Sequence, residues 1–222
     1  MLDPFALVGV YLLLVTVVLD RGGTAPGLSL ACAVVPFQLT IAAAINAMGA
    51  VGIRHHIVLN MGFDRSLLPL SAVLTELVAF AASLLLLAGL MVVYGVALTA
   101  ALLWLPVLLA VVALVATAFA YPASLLGVWL PELRPLAVSM LRALFFIAPG
   151  LVALAQVPGD TQDWLKLNPL SGLFEAFRAV FREGVGPDPW MLAYPAAFAL
   201  AVLALTVPLY RREQAHFAKL LG

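Results

Sequence analysis

Glu175 and Arg178 stand three residues apart in KLNPLSGLFEAFRAVF, residues 166–181, and they are the closest acid and base in an otherwise apolar stretch. On a helix that spacing puts both side chains along one edge, where they can pair with each other. Asn168 is a good helix N-cap, and Pro169 suits the first helical position. Leu170, Leu173, Phe174, Phe177, Val180 and Phe181 then recur at helical spacing. The pattern predicts a short amphipathic helix that cannot span a bilayer and lies at, or dips into, a membrane surface. A satisfied interfacial helix is the plain reading of it.

The other reactive residue types are scattered. Glu76, in SAVLTELVAF, is the one acid well inside a long apolar segment. Acids in lipid are costly and often functional, so a coupling role or a proton relay stands beside a merely interfacial acid paired with Arg65 or Arg142. His55 and His56 are adjacent, so on a helix they point about 100° apart and chelate one metal poorly; His216 is alone. Cys32 is the single cysteine, which excludes an internal disulfide and a thiolate cluster. No HExxH, GxSxG or glycine-rich phosphate loop occurs. The chain therefore has no motif for hydrolysing ATP, and any such energy must come from a partner.

The elements that carry these residues are membrane segments. Of 222 residues, 65% are hydrophobic and 10% are charged, against roughly 25% charged in soluble domains. Mean hydropathy is +1.14. The zero formal net charge gives no support to a nucleic-acid partner. Six apolar segments can be drawn, at 5–19, 28–50, 67–94, 99–121, 136–155 and 190–210. All but the first approach the roughly 20 residues that a bilayer core requires. The first has neither the basic flank nor the cleavage site of a signal peptide, and it reads as a retained membrane segment.

Six spans put Arg54, Arg65, Arg134, Arg211, Arg212 and Lys219 on one side, with Arg142 near that interface. Arg21, Lys166, Arg178 and Arg182 fall on the other. The bias places both termini in the cytoplasm, whereas five spans would separate them. The expected fold is an all-α polytopic membrane protein with six transmembrane helices and a short re-entrant or interfacial helical hairpin before the last span. It is one transmembrane domain, 1–222, with an inner connector at 51–69, an outer loop carrying the amphipathic helix at 156–189, and a cytoplasmic tail at 211–222. In the connector, Asp64 can cap the third span. That connector is either an amphipathic docking element for a cytoplasmic partner or a plain link between helices.

Three stretches carry a family likeness. From Val34 to Phe80, a Pro-aromatic start, a row of small residues, an Asn and an "fPr..lPls"-like run are matched by Pro36, Phe37, Asn46, Asn60, Phe63, Arg65, Leu68, Pro69, Leu70 and Ser71. LNPLSGLFEAFRAVF supplies Asn168, Pro169, Glu175 and Arg178, and the chain ends in YRREQAHFAKLL. Together they resemble the type-2 ABC exporter permeases, in particular the branch that exports lipid-linked polysaccharides such as O-antigen or teichoic acid. The resemblance implies a permease in the bacterial cytoplasmic (inner) membrane that pairs with a second copy as a homodimer. It implies two cytoplasmic ABC ATPase subunits, which would hold the ATP and Mg2+, and a lipid-linked glycan as cargo.

On the same resemblance, Asn168, Glu175 and Arg178 belong near the exit of the substrate path, with Phe37, Phe145 and Phe146 as path aromatics. Arg54, Asn60, Asp64 and Arg65 belong to the ATPase-coupling region. Export of a drug or smaller lipid on the same architecture is the alternative; an intramembrane headgroup enzyme or a plain anchor fits the scattered polar residues less well. The chain departs from the family in two places. Met1 stands almost inside the first segment, where family members begin with additional cytoplasmic residues. The turn after the fourth segment is PELRP, with Glu132 and Arg134 loosely equivalent to the family's Arg-Asp.

Overall fold

The computed structural model describes residues 26–53, 64–151, 153–214 and 217. The first apolar segment and residues Arg54, His55, His56, Asn60 and His216 lie outside the described residues. Those described form helices α1 (Pro26–Ile53), α2 (Leu67–Val93), α3 (Leu105–Trp129), α4 (Arg134–Ile147), α5 (Gly159–Lys166), α6 (Pro169–Arg178) and α7 (Pro189–Glu213), with no strand among them. A 3-10 turn, Ala100–Trp104, leads into α3, and a π-type turn, Ala179–Glu183, extends α6.

Among the described residues, four stretches are long and apolar enough to cross a membrane: Gly27–Ile53, Leu67–Val93, Ala100–Trp129 and Pro189–Glu213. They fall on four of the expected segments. The expected segment at 136–155 is not one continuous helix. Its helix, α4, has 14 residues, a rise of about 21 Å where a bilayer core is about 30 Å thick. Ala148 is extended because it precedes Pro149, whose ring disfavours helical geometry in the residue before it. Periodicity registered the apolar run, while one proline decided where the helix ends.

Helix α1 is the axis of the bundle, packed against α2, α3, α4 and α6. Its small residues Ala43, Ala44, Ala47 and Ala50 are buried and admit close helix approach. The closest approach is at Gly127 of α3, where a Cβ would lie 2.1 Å from the Met48 carbonyl oxygen. Pro36 interrupts the hydrogen-bond ladder of α1, and the Thr40 hydroxyl donates to its carbonyl at 3.0 Å.

Helix α4 runs antiparallel to α1. The Arg134 guanidinium fills the space that a side chain at Gly49 would take, and the Phe145 ring lies 4.9 Å from Phe37. The α2–α3 hairpin is latched to the end of α6. Thr99 donates its hydroxyl to the Gly184 carbonyl at 3.0 Å. Gly184 has φ +68°, and a Cβ there would meet Thr99 at 2.9 Å, so both conformation and space call for glycine.

Candidate functional site

At the Pro26 end of α1, Arg178 ties three segments together. Its Nε donates to the Ser29 carbonyl at 3.2 Å and its Nη2 to the Gly150 carbonyl at 3.0 Å. Nη1 donates to Glu175 Oε1 at 2.7 Å, and the same oxygen accepts the Leu154 N–H at 2.8 Å. Arg178 is 1% exposed and Glu175 9%. The pair is therefore a clamp between the start of α1, the segment after α4, and α6. Breaking one side of such a buried pair typically costs about 3–5 kcal/mol, because it leaves the other charge unmatched.

All ten residues of α6 are buried against the rest of the chain. Its periodicity correctly separates a polar edge from an apolar face, but the polar edge meets carbonyls and an amide of the same chain. Asn168 is its N-cap, with Oδ1 accepting the Leu170 N–H at 3.0 Å. The Asn168 amide also donates to the Leu144 carbonyl in the last turn of α4, at 3.3 Å. Tyr194 of α7 donates its hydroxyl to Leu167 at 2.6 Å. A Cβ at Gly172 would lie 2.8 Å from the Met191 carbonyl oxygen, so α6 presses closely against α7. The turn between α5 and α6 is thus held beside the end of α4 and the second turn of α7.

The three expected path aromatics part company. Phe37 and Phe145 pack together in the core, and Phe174 joins them 5.9 Å from Phe145. Phe146 is 60% exposed, with its ring edge-on to Phe145 at 5.6 Å.

A second polar cluster forms at the other end of the bundle. Asp64 Oδ1 accepts the Ser66 N–H at 3.0 Å, just ahead of α2. Hydrogen bonds from the Ser66 hydroxyl and N–H hold its carboxyl below the usual aspartate range. Arg65 donates to the Gln214 carbonyl at the end of α7. Tyr121 of α3 donates to the Ser66 carbonyl at 2.9 Å, and its ring meets Tyr210 of α7 edge-on at 5.5 Å. The Tyr210 and Ser124 hydroxyls are 3.3 Å apart. Asp64 and Arg65 thus join the ends of α2, α3 and α7.

Sequence reading missed Tyr121, Ser124 and Tyr210. Their signal was a phenol in an apolar segment, which needs a hydrogen-bond partner once buried. The reading also missed the partner of Glu76. Its Oε1 accepts the Asn46 amide, a partner not among the alternatives of Arg65 or Arg142 that the sequence offered. Arg142 itself lies two turns beyond Arg134, deeper along the bundle than the interfacial position the sequence suggested.

Four long apolar helices fastened by polar clusters at both ends define a polytopic helical membrane protein. No protein-family model matches the chain. The chain is similar to the O-antigen export system permease protein RfbA of Myxococcus xanthus, with 26% identity over 224 residues, 98% of this chain and 85% of that protein. That similarity supports the resemblance to type-2 ABC permeases of polysaccharide export.

Proposed function

We propose that this chain is the membrane-spanning permease subunit of an ATP-driven exporter that moves a lipid-linked polysaccharide outward across the bacterial cytoplasmic membrane. The observation that carries the proposal is likeness along 98% of the chain to a permease named for O-antigen export. In this reading two copies form the path, and two cytoplasmic ATPase subunits bind ATP and Mg2+ and supply the energy. The single domain has both termini in the cytoplasm. The 156–189 region then forms a hairpin re-entering from the outer side, and the Glu175–Arg178 clamp fixes the wall of the exit.

The Asp64–Arg65 cluster lies at the cytoplasmic end of the bundle in this orientation. Force applied to the 51–69 connector reaches α2, α3 and α7 together through Arg65, Ser66 and Tyr121. That linkage suits a two-state exporter, in which the ATPase favours one arrangement of the helices over the other. Purification from native membranes tests the assembly. The expected particle holds two permeases, two ATPase subunits and nucleotide-hydrolysing activity. A solitary chain, or a homodimer without an ATPase, counts against the proposal; a complete particle stimulated by a drug or small lipid and not by a lipid-linked glycan moves it to the alternative cargo.

A further inference from the structure

After Tyr210 the sequence turns hydrophilic. Residues 211–219, RREQAHFAK, hold one large apolar side chain, Phe217. Its side chain is fully buried. The ring meets Tyr210 edge-on at 5.2 Å and joins a small cluster with Ala50, Val51, Leu68, Tyr121 and Leu125, separate from the main core. Those residues stand at the Asp64 ends of α1, α2, α3 and α7. One ring from beyond the end of α7 thus fills a socket shared by four helices.

The socket holds its shape through contacts that leave Phe217 out. Tyr121 donates its hydroxyl to the Ser66 carbonyl, the Tyr210 and Ser124 hydroxyls are 3.3 Å apart, and the two tyrosine rings meet edge-on at 5.5 Å. These hydroxyls also let water take the place of the ring, where a wholly apolar cavity would stay dry. Seating the ring meets an opposing contribution. Gln214, three residues before Phe217, accepts from Arg65 at its backbone carbonyl, and its side-chain Oε1 is buried with no hydrogen-bond partner among the described residues. A dry acceptor disfavours the seated arrangement, while burial of an aromatic ring favours it. Opposed contributions of this kind suit an element with two arrangements, of which the structure shows the seated one.

We propose that Phe217 is a releasable plug. Seated, it holds Val51 and Leu68, at the two ends of the 51–69 connector, against α3 and α7. Withdrawn, it returns the Gln214 side chain to water and frees the ends of the connector from α7. The plug goes beyond the permease reading and requires no particular cargo or partner, so failure of that reading leaves it standing.

The test uses the full chain in lipid nanodiscs. Leu125→Cys places a thiol in the socket, and Cys32, fully buried in the main core, is the control for folding. Labelling by a water-soluble maleimide is read by peptide mass. Adding Phe217→Ala is expected to speed labelling of the Leu125→Cys thiol by roughly tenfold or more, the value of burying an aromatic ring, with Cys32 unlabelled throughout. Phe217→Leu, which still fills the socket with an apolar side chain, should restore slow labelling. In a second arm para-fluorophenylalanine replaces Phe217, which keeps the ring. Fluorine NMR should give two resonances in exchange, with only the minor one broadened by a soluble gadolinium chelate.

If Phe217→Ala leaves labelling of the Leu125→Cys thiol unchanged while Cys32 stays protected, the ring does not close the socket and the proposal is overturned. If Phe217→Ala also exposes Cys32, that variant has lost its fold and the fluorine arm decides. There, a single resonance out of the chelate's reach at every temperature below unfolding makes the ring a permanent part of the core. A single resonance fully within reach leaves the socket without its ring. Either result overturns the plug.

Discussion

The two ends of the bundle are fastened by different chemistry. At the Ser29 end, one fully buried guanidinium satisfies two carbonyls and a carboxylate drawn from three segments. At the Asp64 end, several hydroxyls and one exposed carboxylate share the task across three helices. The first arrangement fails as a unit, because either charge left alone in a dry site is unmatched. The second can lose one contact and keep the rest. A bundle held rigidly at one end and by separable contacts at the other has its adjustable end where the proposal places the ATPase.

The largest effect is expected at the clamp. Arg178→Met should destabilise the protein by about 3–5 kcal/mol, seen as lost monodisperse yield and a lower Tm in detergent. Glu175→Gln with Arg178→Met should cost less than the two single changes added together, since the double variant buries no lone charge. Additive losses would show that the pair does not act as a unit.

Smaller effects are expected elsewhere. Asn168→Ala removes the cap of α6 and its bond to Leu144, at about 1 kcal/mol by thermal unfolding. At the other end, Tyr210→Phe removes one hydroxyl contact and should cost about 1 kcal/mol or less. A loss as large as that of Arg178→Met would erase the contrast between the ends.

The smallest effect is the acid dependence of the Asp64 contact. Its carboxyl is held below the ordinary aspartate value of 3.8. Its contribution is therefore complete above that value and lost as pH falls through the lower folded-state pKa. Asp64→Asn should lower stability slightly at neutral pH and flatten the acid limb of a stability–pH profile. An unchanged acid limb would show that the Ser66 contact carries no weight.

Much of the fold was legible in the sequence. Apolar run length marked four helices, and the cap and spacing of Asn168, Pro169, Glu175 and Arg178 marked α6 and its internal pair. What pattern could not show was the surroundings. An amphipathic helix looks the same whether its polar edge meets headgroups or buried carbonyls, so the burial of α6 escaped notice. Residues 136–155 read as one continuous apolar segment because hydropathy averages over Pro149, where the helix is interrupted. Phe145 and Phe146 could not be sorted from composition, since which of them meets Phe37 depends on the register of α4 against α1. Glu76 found an amide on a neighbouring helix, a contact with no signal in local spacing.

Transport itself is the most direct measurement of the central claim. The permease and its ATPase would be reconstituted into sealed vesicles with a fluorescent lipid-linked oligosaccharide in the ATPase-facing leaflet. The account predicts ATP-dependent appearance of the glycan on the opposite face, abolished when the ATPase cannot hydrolyse nucleotide. A folded, ATP-hydrolysing complex that leaves the glycan where it was placed would contradict it.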